Sequence, residues 1–450
     1  MSSAAEARQG DNGARAPWFA FLESNTTGTG REFCAAARAR GLRPVLLTRD
    51  PGRYPYVAQD GIETRLLDTS DLPAVLETCA ALAADGGLAG IASSSEYFVA
   101  AAAHAAARTG LPAADGDAIA RCRAKDVQRT VLRDAKVPVP AFEAVDEVAD
   151  AVGAAEALGH PVVLKPVSGS GSVGVRLCRD VAETRTWATE LLRRGTDERG
   201  NPVPTRILVE EAVRGPEFSV ETFDGSVVAV VSKHLGSEPY FVETGHDVPA
   251  PVAPSTEAAL AETALSALSA LGLGWGAAHT ELRLGPQGPV VIEVNPRLAG
   301  GMIPLALRTA FGVDLVDASV ARACGQEPAP RTYGAGHAAV RFLCTRSAGR
   351  VTAVHGLREA AAAPGVAVLT TTPVGRDVRV THSFQDRLGC VVAAGPDPGT
   401  ASARAVAALR MIDIRLDGTA AATDAERPTG PTQRRPPSET HRSKESGTRD

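Results

Sequence analysis

The chain has 450 residues and a net charge of −5, with a sequence pI of about 6.0. One hydrophobic core cannot organise this length, so two to four domains of about 100–200 residues each are expected. No Lys/Arg-rich run occurs in the part expected to fold, which argues against a nucleic-acid partner. The 7 cysteines are odd in number and lack CxxC spacing, so neither a disulfide framework nor a zinc site is predicted.

The N-terminal segment, residues 1–16, is small and polar and is expected to be disordered. It lacks the apolar region of a signal peptide, and no later run of about 18 apolar residues is present. Neither secretion nor membrane spanning is therefore expected. A reducing cytoplasm is the expected location.

A doubly wound, Rossmann-like domain is predicted over residues 17–117. The strand WFAFLES, the helix REFCAAARARG and the strand PVLLTRD form a β-loop-α-β unit, and GLAGIASSS with EYFVAAAAHAAARTG completes the domain. The loop NTTGTG (Asn25–Gly30) precedes the first helix and can hold a polar or anionic ligand at the helix N-terminus. Alternatively, its glycines serve only the tight turn, because the third glycine of GxGxxG is missing.

The next region, residues 118–205, opens with the helical segment AIARCRAKDVQRTVLRDAKV, which carries Lys125. The stretch HPVVLKPVSGSGSVGVRLC then predicts a strand bearing Lys165, a Gly/Ser loop and a returning strand. Loop amides can fold over phosphate oxygens while the lysine supplies a fixed cation. A simple linker, which is the alternative, would not require a lysine within the strand. The loop residues assigned to such a ligand are Ser168, Gly169, Ser170, Gly171 and Ser172.

Two acidic residues flank a break between the strands of ILVEEAVRGPEFSVETF, Glu210 before it and Glu217 after it. Carboxylates placed in this way can accept hydrogen bonds from an adenine amino group and a ribose hydroxyl. In the alternative, Glu211 and Glu217 only face water.

The segment YFVETGHDVPAP, residues 240–251, shows neither helical nor strand periodicity and is predicted to be a functional loop. Its carboxylate, Glu243, can bind a substrate ammonium. The neighbouring His246 is either part of the same site or a cap of the following helix.

The hairpin HTELRLGPQGPVVIEVN is the most informative stretch of the chain. Pairing Leu284 with Val290 across the GPQG turn places Glu281 directly opposite Glu293. The other face of the hairpin then carries a nearly apolar row that can pack on a core, namely Thr280, Leu282, Leu284, Val290, Ile292 and Val294.

Two facing carboxylates repel each other, so a divalent cation is predicted between Glu281 and Glu293. The Asn295 carbonyl lies on the same face and adds an oxygen ligand. Mg²⁺ bound together with a nucleotide is the natural candidate. The alternative is a solvated hairpin face.

After NPRLAGGM two helices follow, and strands predominate from about residue 336. Residues 336–417 are predicted to form a small α+β domain. Residues 418–450 are rich in Thr, Pro, Arg and Glu and are expected to be a disordered tail.

The order of these elements resembles the ATP-grasp superfamily over about residues 17–330. Within it, the ETGH segment, HTELR, AAVRFLC and DRLGCVVAAG are similar to the L-amino acid ligases, the bacterial dipeptide synthetases of antibiotic pathways. The resemblance implies an α/β and α+β chain with an ATP-grasp fold. A Rossmann-like domain would precede two ATP-grasp subdomains at residues 118–205 and 206–335, and the small C-terminal α+β domain would follow.

The activity that the resemblance implies is a carboxylate–amine ligase. ATP would phosphorylate a carboxylate, an amine would attack the acyl phosphate, and ADP and phosphate would leave. The implied cofactors are ATP and Mg²⁺, with Mn²⁺ as the alternative metal. The implied partners are a small carboxylate, a small amine and a second copy of the chain in a homodimer.

The resemblance also implies a role for each matched residue. Lys125 and Lys165 match the phosphate-binding lysines, and Glu210 and Glu217 match the adenine- and ribose-binding acids. Glu281, Glu293 and Asn295 match the metal ligands, and Arg297 matches the arginine beside the transferred phosphoryl group and the acyl oxygen. By the same resemblance, Glu243 and His246 would face the amino group of the first amino acid. The amides of Gly300 and Gly301 would stabilise an oxyanion.

One departure leaves the acceptor amine open. Typical dipeptide ligases differ around Asn295 and Pro296, where this chain has the commoner superfamily form ExNPR. An ATP-grasp enzyme acting on a ribonucleotide or bicarbonate is an alternative, although a phosphorylated substrate would favour arginines in place of Glu243 and His246. A nucleotide-binding sensor without ligase activity is a further alternative. Against it, the chain retains both phosphate-binding lysines and all three proposed metal ligands.

Overall fold

The computed structural model describes residues 15–25, 29–197, 200, 202–328, 334, 336–417 and 419–420. Most of the two segments predicted to be disordered, and the middle of the loop at residues 25–30, lie outside the described residues. Arg15 is described, and it forms an ion pair with Asp85 at 3.3 Å. The disorder predicted for residues 1–16 stays a prediction.

The first region is a parallel four-stranded sheet in the order β3-β2-β1-β4. All five residues of β1 are buried, as expected for a central strand covered on both faces by helices. The elements are β1 (Trp18–Leu22), α1 (Thr29–Ala39), β2 (Arg43–Thr48), α2 (Pro55–Gln59), β3 (Glu63–Leu66), α3 (Leu72–Ala84), β4 (Leu88–Ala92) and α4 (Val99–Arg108).

The second region carries an antiparallel sheet in the order β5-β8-β6-β7. The helical segment predicted around Lys125 is two helices, because Ala124 has an extended backbone with ψ of 103°. The elements are α5 (Gly116–Arg123), α6 (Lys125–Asp134), β5 (Phe142–Val145), α7 (Val148–Leu158), β6 (Val162–Pro166), β7 (Arg176–Cys178), α8 (Val181–Leu192) and β8 (Ile207–Glu211).

An eight-stranded sheet in the order β13-β12-β9-β10-β11-β14-β18-β16 joins the third and fourth predicted regions. Its first part is built from β9 (Glu217–Phe223), β10 (Ser226–Leu235), β11 (Glu243–Val248), α9 (Pro254–Leu271), β12 (Ala277–Gly285), β13 (Gly288–Asn295), α10 (Ile303–Phe311) and α11 (Leu315–Ala323). One face packs on α10 through Val248 and Leu307, and the other packs on α9 through Val220 and Leu268.

The C-terminal region extends this sheet, because β14 pairs antiparallel with β11. A smaller sheet in the order β17-β15-β19-β20 lies beside it. The elements are β14 (His337–Cys344), β15 (Gly349–His355), α12 (Leu357–Ala361), β16 (Val366–Thr371), β17 (Asp377–Val378), β18 (Arg387–Gly395), α13 (Pro398–Leu409), β19 (Asp413–Leu416) and β20 (Thr419–Ala420). The domain boundaries drawn from the sequence stay predictions.

The β12–β13 hairpin does not have the predicted turn register. Leu284 pairs with Pro289, one residue earlier than predicted, and a β-bulge next to Glu281 restores the pairing of Glu281 with Glu293. A bulge places two residues opposite one and turns the strand locally. The predicted carboxylate pair is therefore present, although the register that led to it was wrong.

The bulge also changes which side chains are buried. Val291 is fully buried in the core, whereas Val290 and Ile292, both predicted on the apolar face, are only half-buried. The carbonyl of Ile292 accepts a hydrogen bond from the Arg129 guanidinium on α6. This contact holds the bulge from outside the hairpin.

The described residues also bear on membrane spanning and on disulfides. None of the helices in the described ranges combines the length and the apolar character needed to cross a lipid bilayer. The cysteines all lie within those ranges, and each is an unpaired thiol.

Candidate active site

A cavity of about 130 Å³ lies between the antiparallel sheet of the second region and the eight-stranded sheet. The predicted residues that line it are Lys125, Lys165, Gly171, Ser172, Glu210, Glu217, Glu243, Glu281 and Glu293. Residues separated by up to 168 positions in the sequence thus surround one space. The other predicted site residues do not line it, namely Ser168, Gly169, Ser170, His246, Asn295, Arg297, Gly300 and Gly301.

Lys165 and Glu210 form an ion pair on neighbouring strands β6 and β8, with Nζ 2.7 Å from Oε2. The second carboxylate oxygen of Glu210 lies 2.7 Å from Nε of Arg129, whose side chain is fully buried. Burial and the nearby Arg129 charge lower the pKa of Lys165 to about 8. Burial would raise the pKa of Glu210, but Arg129 and Lys165 outweigh it and lower that pKa. Arg129 was missed in the sequence, where it lies in an ordinary amphipathic helix.

Lys125 is the first residue of α6, and its amide donates to the Val167 carbonyl at 2.9 Å. Its Nζ lies 3.0 Å from Oε1 of Glu293 and donates to the Gly169 carbonyl at 2.7 Å. Burial would lower the pKa of Lys125, but Glu293 and Glu96 outweigh it and raise that pKa. One ammonium therefore connects the helix, the Gly/Ser loop and the hairpin.

A third lysine, Lys233 on β10, was missed because its strand carries no recognisable motif. Its Nζ lies 2.9 Å from Glu217, 2.9 Å from Glu243 and 3.0 Å from Glu281. These carboxylates outweigh the effect of burial and raise the pKa of Lys233 well above its usual value. A permanent cation thus holds three of the predicted acidic residues together.

Glu281 and Glu293 face each other across the hairpin, and each also has a cationic partner. His279 lies 3.1 Å from Glu281 and 2.7 Å from Glu221. Burial would lower the pKa of His279, but Glu221 and Glu281 raise it to about 9. The Glu281 side chain is therefore held between an imidazolium and the Lys233 ammonium.

The donor atoms at this hairpin fit a hard cation such as Mg²⁺. Glu281 and Glu293 offer carboxylate oxygens, and the buried Asn295 pairs in register with His279 beside them. Within the described ranges, no three His, Cys, Asp or Glu side chains form a metal cluster. A site with one or two carboxylates is nevertheless the usual form for Mg²⁺, which takes its remaining oxygens from water and phosphate.

Arg297 follows the hairpin and pairs with Glu96, which lies in the segment after β4 of the first region, beyond Ser93–Ser95. Nε of Arg297 donates to Oε2 of Glu96 at 3.2 Å, and Nη2 makes a closer contact with the same oxygen. Glu96 was missed, although SSSEY follows the carboxyl end of a parallel strand, where ligand-binding groups collect. The contact ties the first region to the segment that follows the hairpin.

Glu243 and His246 do not lie in a loop. They belong to β11, whose backbone pairs with β10 and β14, so the loop prediction is wrong. His246 is fully buried, and burial lowers its pKa to about 3. It does not cap α9, because the residue before that helix is Ala253, which makes no side-chain cap.

Gly301 lies against the ring of His246. Its φ is +58°, and a Cβ at this position would approach Nε2 of His246 to 2.5 Å. Both ring nitrogens of His246 are buried without a hydrogen-bond partner in the described part of the chain. Glycine is therefore required here for space as well as for backbone conformation. The oxyanion role of Gly300 and Gly301 stays a prediction.

The Gly/Ser loop covers the cavity and contacts the C-terminal region. The Gly171 carbonyl accepts from the Phe384 amide at 3.1 Å, and a Cβ on Gly171 would overlap the Phe384 ring. Ser172 Oγ donates to the Phe241 carbonyl at 2.9 Å. In this structure the loop is therefore closed over the cavity.

Three family models match successive parts of the chain. They describe an ATP-grasp N-terminal domain at residues 34–113, an ATP-grasp domain at residues 158–304 and the L-amino acid ligase C-terminal domain 2 at residues 341–417. The order of the matches agrees with the order of the regions in the structure.

Two relatives differ in how much of them the chain spans. It is 35% identical to the uncharacterized protein y4rH of Sinorhizobium fredii over 87% of this chain and 82% of that protein. It is 32% identical to carnosine synthase 1 of Homo sapiens over 44% of this chain. The chain spans only 26% of that synthase.

The structure is similar to the crystal structure of an L-amino acid ligase from Bacillus licheniformis. The TM-score is 0.75 at 22% sequence identity, covering 89% of this chain and 99% of that one. This likeness concerns the fold.

Proposed function

This chain belongs to the ATP-grasp superfamily of ATP-dependent carboxylate–amine ligases, and we propose that it joins an amino acid to an amine through an acyl phosphate in specialised metabolism. The observation that carries the proposal is one cavity in which three lysines and an opposed carboxylate pair lie beside Glu243. A cytoplasmic location and a homodimer belong to the same proposal.

The cationic side chains would bind the nucleotide. Lys125 and Lys165 enter the cavity from α6 and β6, where they can neutralise the phosphates of ATP. Glu281, Glu293 and Asn295 would hold Mg²⁺, which supplies charge neutralisation for phosphoryl transfer when bound. The roles of Glu210 and Glu217 at adenine and ribose belong to this proposal.

The reaction requires positioning and no nucleophilic side chain. An oxygen of the donor carboxylate would attack the γ-phosphorus of ATP, and the bond to the ADP oxygen would break. The amine nitrogen would then attack the acyl carbon, phosphate would leave with the acyl oxygen, and the nitrogen would lose a proton. Arg297 carries a fixed positive charge that suits the oxygens of this intermediate.

Glu243 is the proposed acceptor of the donor's amino group. Burial would raise its pKa, but Lys233 and Arg387 outweigh it and keep that pKa well below its usual value. Glu243 is therefore anionic at neutral pH, and the neutral His246 behind it adds no positive charge that would repel an ammonium.

ADP release with a panel of substrates tests the proposed function. Amino acids with an added amine are expected to stimulate ADP release and to give an amide detectable by mass spectrometry. Turnover with bicarbonate or a ribonucleotide, and not with amino acids, would instead support that other ATP-grasp activity. No turnover with any acid would contradict ligase activity.

The charge of Lys165 predicts a pH dependence. Because its pKa is lowered to about 8, the ammonium loses its proton as the pH rises through that value. We expect kcat/KM for ATP to fall about tenfold per pH unit above it. In Lys165→Arg, kcat/KM for ATP should be lower but should not change with pH over this range, because arginine stays protonated. The same alkaline fall in both proteins would assign it to another group.

The closed Gly/Ser loop predicts an effect on the coupling of ATP use to amide formation. Gly171→Ala places a Cβ into the Phe384 ring at a φ of +62°, so the loop should close poorly and admit water to the acyl phosphate. We expect the ratio of phosphate to amide to rise by about threefold or more. Gly153→Ala is the control, because a Cβ at that glycine meets no atom within 4 Å. Equal ratios in both variants would contradict a lid role.

A further inference from the structure

Arg387, the first residue of β18 in the C-terminal region, reaches into the site described above. Its Nη2 lies 2.6 Å from Oε2 of Glu243, and its Nε donates to the Glu243 carbonyl at 3.2 Å. One guanidinium therefore holds both the backbone and the side chain of the residue assigned to the donor's amino group. A planar guanidinium fixes orientation in a way that a single ammonium does not.

The arginine is itself held in place from two sides. Its guanidinium lies 4.0 Å from the centroid of the Phe342 ring, and Phe342 packs edge-on against His246 at 5.6 Å. The preceding residue, Asp386, is buried and accepts from the Thr381 amide and hydroxyl, both at 2.7 Å. The arginine thus projects from a rigid turn, and only 15% of its side chain is exposed.

The two carboxylate oxygens of Glu243 have different partners. Oε1 faces Lys233 at 2.9 Å, but Lys233 is shared with Glu217 and Glu281. Oε2 faces Arg387, which has no other carboxylate partner among the residues that the structure describes. Each carboxylate oxygen can accept two hydrogen bonds, so an incoming ammonium can still bind to an oriented Glu243.

We propose that Arg387 is a positioning residue that orients the Glu243 carboxylate toward the ammonium of the donor amino acid. This inference rests on the proposed function. It gives the C-terminal region a direct part in donor recognition, because the region supplies the residue that sets the geometry of the amino-group site.

The test compares two donors, an amino acid and the matching carboxylic acid without its amino group. Arg387→Gln is expected to raise KM for the amino acid about tenfold, with kcat and KM for ATP changed less than about threefold. KM for the des-amino acid should stay unchanged, because that acid has no group for Glu243 to bind. Arg387→Lys should recover part of the lost affinity for the amino acid, because lysine restores the positive charge but not the planar guanidinium that binds both the side chain and the backbone of Glu243.

A double-variant cycle separates this role from a purely structural one. If Arg387 acts through Glu243, Arg387→Gln should have little further effect in a Glu243→Gln background. Arg350→Gln is the matched control, because Arg350 pairs with Asp377 at 3.5 Å on the exposed surface of the same region. Melting temperatures of all variants report folding.

Three results would overturn the inference: multiplicative effects in the double variant, equal KM changes for both donors, or an unchanged KM in Arg387→Gln. Should Arg387→Gln fail to fold, Arg387→Lys gives the same comparison. Failure of the proposed function looks different, because the unaltered protein would then release no ADP with any amino acid.

Discussion

Glu293→Gln is expected to abolish ADP formation while leaving the fold intact. The substitution keeps the shape of the side chain but removes one of two carboxylates that face each other across the hairpin. It also removes the partner of Lys125. Losing one preorganised charge at a phosphoryl-transfer centre costs a factor of about 10²–10³ in kcat, and loss of the proposed metal ligand would add to this.

The measurement is ADP release at saturating ATP and amino acid, followed across a Mg²⁺ titration. The half-saturating Mg²⁺ concentration should rise in Glu293→Gln. Glu262→Gln makes the same charge change at an exposed position of α9 and should behave like the unaltered protein. A Glu293→Gln protein with near-normal turnover would remove Glu293 from the metal site.

Arg297→Gln is expected to lose both activity and stability. The arginine pairs with Glu96 across the boundary between the first region and the hairpin, and their side chains are only 18% and 10% exposed. Removing one partner of a buried ion pair leaves the other uncompensated, which costs about 3 kcal/mol of unfolding free energy. If Arg297 has its proposed place beside the transferred phosphoryl group, the loss of its positive charge should lower kcat by about 10³-fold.

A second variant separates the loss of activity from the loss of stability. Adding Glu96→Gln to Arg297→Gln removes the uncompensated carboxylate, so urea unfolding should show part of the stability recovered while kcat stays low. Stability losses that simply add in the double variant would mean that the two side chains do not act as a pair.

The fold was predictable because its signals are local. The prediction of an ATP-grasp ligase fold is confirmed. Alternating polarity predicted Glu281 and Glu293 on one face of the hairpin, but their direct pairing depends on the bulge. The bulge was not predictable, because Arg129 binds the Ile292 carbonyl from 163 positions away.

The ion-pair partners of the site residues escaped prediction for the same reason. Arg387 and Glu243 are 144 positions apart, and Arg297 and Glu96 are 201 positions apart. Sequence motifs describe residues a few positions apart, so no motif reveals either of these pairs. The β11 strand was missed because a glycine interrupts its period and prolines follow it. It pairs with the preceding strand β10 and with β14, which is distant in the sequence.

Oxygen-isotope transfer tests the proposed chemistry most directly. A donor amino acid labelled with ¹⁸O in its carboxylate is incubated with the protein, ATP, Mg²⁺ and an accepted amine, and the released phosphate is analysed by mass spectrometry. An acyl phosphate predicts one ¹⁸O in the phosphate for every amide formed, because the acyl oxygen leaves with phosphorus. Unlabelled phosphate accompanying a fully formed amide would contradict it.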